Sequence, residues 1–373
     1  MTEDQSDIII IGAGIAGVSA AAALSEHASV RIVEMEAQAG YHSSGRSAAF
    51  FSPPYGNAIV RAFTVASENF FRSPPAGFCE HELIHPRDCL FIARESQSAS
   101  LEKMSREIPS LEYIQAGDVL SKVPVLKPDE LLGGLLDESG GDLDVNELLQ
   151  SFLRQFRHNQ GKIENSERVE QMHWQGGLWH VRTGKNTFKA PVVVNAAGAW
   201  ADGLAQIAGL ANLGIEPKRR TAVLVDPPDN HDIKDWPLCI DIDEQFYFKP
   251  DAGQLLISPA DETPSEACDA QADEYEVALA VDRFENATGL EIGRIKHKWA
   301  GLRSFASDRT FVLGFDPRCR GFFWLAGQGG YGVQTAPAMA RLCASLLLKN
   351  PLEGPYVSIQ GLADEVSPER FLN

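Results

Sequence analysis

The sequence is poor in the features that mark several large protein classes. Its six cysteines are scattered without a C-x-x-C pair, and no Cys/His group has zinc-ligand spacing. A chain of 373 residues needs no disulfide staples, so reduced cysteines and no metal are expected. No uninterrupted apolar run reaches the roughly 18 residues of a membrane-spanning helix. The opening stretch, residues 1–7, is acidic and polar and lacks the basic and apolar regions of a secretion signal. A cytoplasmic location is the expectation, with peripheral contact at the inner face of a membrane left open. Basic residues are scarce too: 33 Lys and Arg stand against 51 Asp and Glu, a formal net charge of -18. A field of that sign repels nucleic acid and anionic surfaces, so nucleic acid is not expected as a partner.

What is present is the composition of a globular α/β enzyme, with 44% hydrophobic residues, 32 Gly and 21 Pro. Its length exceeds the size at which one core usually stops growing, which predicts two domains. Residues 8–11 form an unbroken β-branched run, as in a strand buried on both faces. A glycine-rich turn, an alanine-rich helix over 15–27 and a strand over 30–35 complete a βαβ unit. Residues 40–56 read as loop, 59–71 as helix and 90–93 as strand. Residues 145–158 read as a helix with Asp144 as N-cap. The Gly176-Gly177 turn joins two strands within 162–181, and 191–194 is a further strand. Short strands bracket Val223 and residues 246–248, an acidic helix spans 265–288, and 292–299 alternates like a strand. Residues 96–136 carry mixed signals. Near the C-terminus come strands over 310–314 and 322–326 and a helix over 335–348 with Pro337 in its first turn.

Gly12-Ala-Gly14-Ile15-Ala16-Gly17 opens the first helix directly after the first strand, and Glu34 closes the second. Gly12 makes the tight turn, Gly14 admits a pyrophosphate, Gly17 lets helix and strand approach, and the helix N-terminus attracts phosphate. Placement and spacing meet the context test for a dinucleotide site. Glu34 suits ribose hydroxyls and would repel the 2′-phosphate of NADP. A second glycine string, Gly327-Gln-Gly329-Gly330-Tyr331-Gly332-Val333-Gln334, precedes the last helix and puts unencumbered backbone N–H groups against something flat and anionic. That favours FAD over NAD, a simple connecting loop being the other reading.

Lys218-Arg219-Arg220 is the densest basic cluster, and Arg303 sits among Trp299, Leu302 and Phe305. Both arginines suit bidentate capture of a substrate carboxylate, although surface counter-charge is the plainer role for an arginine in an acidic chain. Tyr55 and Tyr247 are candidate hydroxyl donors, with packing as the alternative. His42 and His297 carry nothing local that marks them as bases.

The stretches IIIIGAGIAG, GYHSSGRSAAF, PPAGFCEH, PVVVNAAGAWAD, EPKRRTAV, FYFKPDAG, WAGLRSFASD and GFFWLAGQGGYGVQT run in order over nearly the whole chain. Through them the sequence resembles the FAD-dependent D-amino acid oxidase/dehydrogenase superfamily (the DAO family), which also holds glycine and sarcosine oxidases. Within it the resemblance is nearest to the bacterial D-arginine and D-amino acid dehydrogenases. The resemblance implies that Gly12, Gly14, Ile15, Ala16, Gly17 and Glu34 hold the ADP half of a non-covalent FAD. It implies that the 40–48 loop, with Arg46, Ser47 and Ala48, wraps the pyrophosphate and isoalloxazine, with Ala197 and Gly198 nearby. Gly327, Gly329, Gly330, Tyr331, Gly332, Val333 and Gln334 would meet the pyrimidine end. Arg220 and Arg303 would grip the substrate carboxylate, helped by Tyr55 and Tyr247, with the Gly330 carbonyl accepting from the amine. The implied reaction is oxidative deamination of a D-amino acid: hydride leaves Cα for flavin N5 without a strong side-chain base, and the imino acid hydrolyses in water. A quinone or respiratory-chain acceptor is implied rather than oxygen.

Three positions concern the substrate side chain. Phe50 stands where the arginine-oxidising relatives have histidine, and Cys89 where they have a glutamate that meets the cationic end of D-arginine; Glu244 is retained. Losing one of two acidic partners leaves a desolvated guanidinium poorly paired, which shifts the expected preference to neutral or apolar side chains. The expected fold is a Rossmann-like α/β FAD domain (1–85, 140–218, 304–373) with an inserted antiparallel-sheet substrate domain (86–139, 219–303). Rival readings are flavin oxidation of an N-substituted amino acid or a 2-hydroxy acid, an NAD-dependent dehydrogenase, and a flavin-binding protein without catalysis.

Overall fold

Ile8 and Ile10 face a layer of helices while Ile9 and Ile11 face a small four-stranded flanking sheet, so this strand has no position for a polar residue. It lies near the centre of a six-stranded sheet in a computed structural model that describes residues 3–372. Lys162–Glu164, Val30–Val33, Ile8–Ile11, Val192–Asn195 and Phe322–Ala326 run parallel in that order, with Val312–Phe315 antiparallel at the edge. Helix Ile15–Leu24 packs between Val145–His158 and Gly332–Leu348, an approach that its run of buried alanines allows. The Val145–His158 helix starts where Asp144 accepts from Glu147 N–H at 2.8 Å. On the opposite face, Leu178–Thr183 pairs with Val169–Gln175 through Gly176 and Gly177, at φ 60° and 84°, the left-handed values a two-residue hairpin requires.

The second sheet is nine-stranded and mostly antiparallel. Its spine is the pairing of Glu216–Val225 with Ile295–Phe305, in which Arg220 stands opposite Gly301 and Lys218 opposite Arg303. Both strands are longer than their sequence patterns suggest, and the expected domain limits at 218 and 303 fall inside them. Helix Glu274–Thr288 covers one face through Val277, Ala280 and Phe284, over Phe246 and Phe248. Helix Ser98–Glu107 covers part of the other through Leu101, over Cys89 and Phe91.

Two helices begin elsewhere than their sequences indicate. The acidic one starts at Glu274, because Asp273 accepts from Tyr275 N–H at 2.9 Å. The last one starts at Gly332, so Pro337 lies in its second turn rather than its first. The ambiguous 96–136 stretch holds two helices and the strands Glu112–Gln115 and Leu131–Asp137. Gly133 and Gly134 hide the latter strand's pattern; a Cβ there would lie 2.7 Å from Ile114 O and 2.8 Å from Phe91 O respectively. Among the described residues, no helix is long and apolar enough to cross a membrane.

Candidate active site

A cavity of about 350 Å³ runs from the first βα turn to the second sheet. At its inner end Gly12 has φ 105°, and a Cβ would fall 2.5 Å from Ala196 O. A Cβ on Gly17 would fall 2.0 Å from Gly12 O, so Gly17 is a packing glycine and does not line the cavity. Gly14, Ile15, Ala16 and Glu34 do line it. The Glu34 carboxylate accepts from Ala13 N–H at 2.5 Å and Glu36 N–H at 2.8 Å. An ionised carboxylate offers about four acceptor sites, which leaves capacity for ribose hydroxyls. Ser44, unremarked individually in the sequence, accepts from Ile15 N–H at 2.9 Å and so occupies one N–H of the helix terminus.

The 40–48 loop is fastened to the strand Ile295–Phe305. Ser43 Oγ donates to Leu302 O at 2.6 Å, and Trp299 Nε1 donates to Arg46 O at 2.9 Å. Arg46, Ser47 and Ala48 line the cavity. The Arg46 guanidinium is engaged by Asp269, by Ala270 O at 2.8 Å and by Ala300 O at 3.2 Å. Ala197 and Gly198 line the cavity beside Gly12, on a turn held by Asn195, whose Nδ2 donates to Ala201 O at 2.8 Å. His42 also lines the cavity, its ring tilted against Trp200 with Nε2 3.0 Å from Glu36; His297 is exposed and stacked on Trp299.

Of the C-terminal glycine string, Gly329, Gly330, Gly332 and Val333 line the cavity. Gly327 and Gly329 adopt φ 75° and 53°, and a Cβ on Gly329 would strike Phe305 at 2.2 Å. Gln334 and Tyr331 lie behind that wall. The Gln334 amide accepts from Ser52 N–H at 3.1 Å and donates to Thr64 Oγ1 at 2.9 Å, while the Tyr331 ring packs edge-on to Tyr55 at 5.1 Å. Ser304 and Gln328 also line the cavity, and their buried hydroxyl oxygen and amide nitrogen have no partner among the described residues. Orphaned polar groups beside a glycine cradle suit a ligand with its own donors and acceptors.

Arg220, Tyr247 and Arg303 stand at the outer end. The strand's period of two puts Arg220 beside Lys218 and turns Arg219 the other way, 3.6 Å from Asp273. Arg220 Nε donates to Asp261 O at 2.9 Å, and its guanidinium lies 6.0 Å from the Tyr247 ring. Arg303 has no carboxylate within ion-pair distance among the described residues. Its hydrogen bond is to Tyr55 Oη at 3.4 Å, and it lies so close to Gly330 that a Cβ there would meet Nη1 at 2.8 Å. Burial, and then the Glu244 charge, raise the Tyr55 hydroxyl above its ordinary pKa.

Phe50 and Cys89 do not line the cavity. Phe50 is half-buried and packs with Ile240 and Tyr247 onto the cluster that holds Cys89. Cys89 is fully buried, its thiol pushed well up by desolvation. Glu244 is exposed on the hairpin between Leu238–Asp241 and Tyr247–Asp251, at φ 54°. Arg309 and Glu262, which carried no local sequence signal, meet beside Arg220.

A parallel sheet with a glycine cradle at its switch point, facing an antiparallel sheet that carries arginines, defines a flavin-type oxidoreductase. The family of FAD-dependent oxidoreductases matches residues 7–346, and the chain belongs to that DAO family, with FAD as its cofactor. FAD-dependent oxidoreductase domain-containing protein 1 of Xenopus laevis is 24% identical, with 92% of this chain and 79% of that one aligned. The fold is shared with the FAD-bound L-alpha-glycerophosphate oxidase of Mycoplasma pneumoniae (TM-score 0.83, 18% identity, covering 92% and 95% of the chains). It is shared equally with glycine oxidase of Geobacillus kaustophilus (TM-score 0.82, 20% identity, covering 96% and 99%).

Proposed function

We propose that this chain oxidises a small D-amino acid with a neutral or apolar side chain, as a dehydrogenase whose acceptor is a quinone or the respiratory chain. The observation that carries this reading is Arg303: a recessed guanidinium with no carboxylate partner among the described residues, set against Gly330 at the end of the cavity. A charge in that position calls for an anionic ligand. Arg303 and Arg220 hold the substrate carboxylate, and Tyr55 and Tyr247 supply hydroxyl donors. The Gly330 carbonyl orients the substrate amine. Bound FAD supplies the two-electron acceptor.

Glycine oxidase among the similar structures is consistent with an amine substrate, and the sequence resemblance to D-amino acid dehydrogenases supplies the configuration. Tyr247, which lines the cavity and packs on the apolar cluster around the buried Cys89, offers a surface suited to an uncharged side chain. Glu244, exposed to water, offers a guanidinium one weak partner. The test is an anaerobic screen of D-, L- and N-methyl amino acids and 2-hydroxy acids, following flavin absorbance near about 450 nm. D-Methionine, D-leucine and D-phenylalanine should bleach the flavin with higher efficiency than D-arginine. Bleaching by hydroxy acids or N-methyl amino acids alone, or a large preference for D-arginine, overturns the reading. No cysteine lines the cavity, and His42 is held by Glu36 and Trp200; acid should therefore release FAD intact.

A further inference from the structure

Arg220 already faces a carboxylate of its own chain, and the two are held slightly apart. One terminal nitrogen of Arg220 lies 3.4 Å from Glu262 Oε1, long against the ~2.7–2.9 Å of a strong charge-assisted hydrogen bond. Arg309 accounts for the gap. Its two terminal nitrogens donate to the two Glu262 oxygens at 2.8 and 2.7 Å, the planar fork that carboxylates match best. The Arg309 guanidinium rests on the Phe305 ring at 4.3 Å, and its backbone is fixed at φ 59° in the turn after strand Ile295–Phe305. Hydrogen bonding from Arg309 is the main cause that holds the Glu262 carboxyl below its ordinary range, so it is an anion at neutral pH. Lys218, at 3.8 Å, is a more distant partner.

We propose that Arg309 is a positioning residue that holds Glu262 away from Arg220 and so keeps Arg220 free for the substrate carboxylate. The inference rests on the reading of Arg220 as a substrate ligand. Without Arg309, Glu262 remains tethered beside Arg220 and closes on it. A tethered carboxylate then competes at a high effective concentration with a free one.

The experiment measures benzoate binding to the FAD-loaded protein by perturbation of the flavin spectrum, in wild type, Arg309→Ala, Glu262→Gln, the double variant and Arg220→Lys. Arg309→Ala should weaken benzoate about tenfold and raise substrate KM similarly, while flavin reduction at saturating substrate changes less than about threefold. Glu262→Gln should bind benzoate at least as tightly as wild type. The double variant should return to within about threefold of wild type, a rescue expected only if the two residues are coupled. Unchanged binding in Arg309→Ala, or a double variant as weak as the single, overturns the inference. If the wild type binds no benzoate, or Arg220→Lys binds it unchanged, the reading of the site fails instead.

Discussion

The Gly12 end of the cavity presents backbone to its ligand, whereas the Arg303 end presents long side chains set on two strands of another sheet. At the first end, specificity is the absence of atoms: a Cβ on Gly12 or Gly17 would lie 2.5 or 2.0 Å from a carbonyl oxygen. At the second it is charge left unpaired, since Arg303 has the Tyr55 hydroxyl and Gly330 for neighbours and no carboxylate among the described residues. A backbone cradle is rigid and fails abruptly when filled. A side-chain clamp fails by degrees as each hydrogen bond is removed, and its parts come from segments far apart in sequence.

The largest effect should come from filling the cradle. Gly12→Ala introduces a clash with Ala196 O at a φ of 105°, and relief requires moving the turn at the inner end of the cavity. The purified variant should be colourless, with FAD affinity lowered by at least about a hundredfold in a fluorescence titration, a loss near 3 kcal/mol. Gly209→Ala is the contrast: its φ is 79° but its surroundings are open and it does not line the cavity. It should incur only the local strain of about 1–2 kcal/mol and remain yellow. Equal loss from both would show that backbone strain, not the shape of the cradle, governs FAD retention.

Arg303→Ala tests the other end. Removing a recessed charge-assisted partner of the substrate should lower kcat/KM by about two to three orders of magnitude, with FAD affinity and the flavin spectrum close to wild type. Loss of FAD in parallel would erase the distinction between the two ends. Gly330→Ala lies where the ends meet. Its methyl would lie 2.8 Å from Arg303 Nη1, and a guanidinium at the end of a flexible chain can yield where a carbonyl cannot. The expected result is a ten- to hundredfold fall in kcat/KM, or about 1.4–2.8 kcal/mol, with FAD retained.

The same contrast governs what the sequence discloses. Gly12, Gly14, Gly17 and Glu34 are legible because the cradle is local: one strand, one turn and one helix contain it. The Val145–His158 helix is legible to the residue for a similar reason, since Asp144 caps it from the adjacent position. Side-chain direction is not local. Arg46 is read as part of the cofactor loop and lines the cavity, yet its guanidinium turns to Asp269 and to two carbonyls contributed by residues 270 and 300. Gln334 belongs to the glycine string, but its amide ties Ser52 to Thr64 behind the wall. Glu262 and Arg309 carry no motif, and only the pairing of distant segments brings them beside Arg220. The family resemblance puts Cys89 at a pocket position, whereas its own strand buries it completely.

Tyr55 should give the smallest effect and the finest test of the clamp. Its hydroxyl oxygen lies 3.4 Å from Arg303 Nη1, a long contact that leaves its proton free to donate. Tyr55→Phe removes one neutral hydrogen bond and keeps the edge-on ring contact with Tyr331. Such a loss is typically about 1 kcal/mol, so KM should rise about fivefold with kcat little changed. Burial raises the Tyr55 pKa from 10.0, and the negative charge of Glu244 adds to that shift more than Arg303 and Arg220 each oppose it. A raised value extends the neutral, donating form upward in pH, so Tyr55 contributes no alkaline limb below pH 10. The kcat/KM profiles of wild type and Tyr55→Phe should therefore run parallel up to that point. A limb present in the wild type and absent from the variant below pH 10 would mean that Tyr55 ionises there, and that the two arginines outweigh its burial.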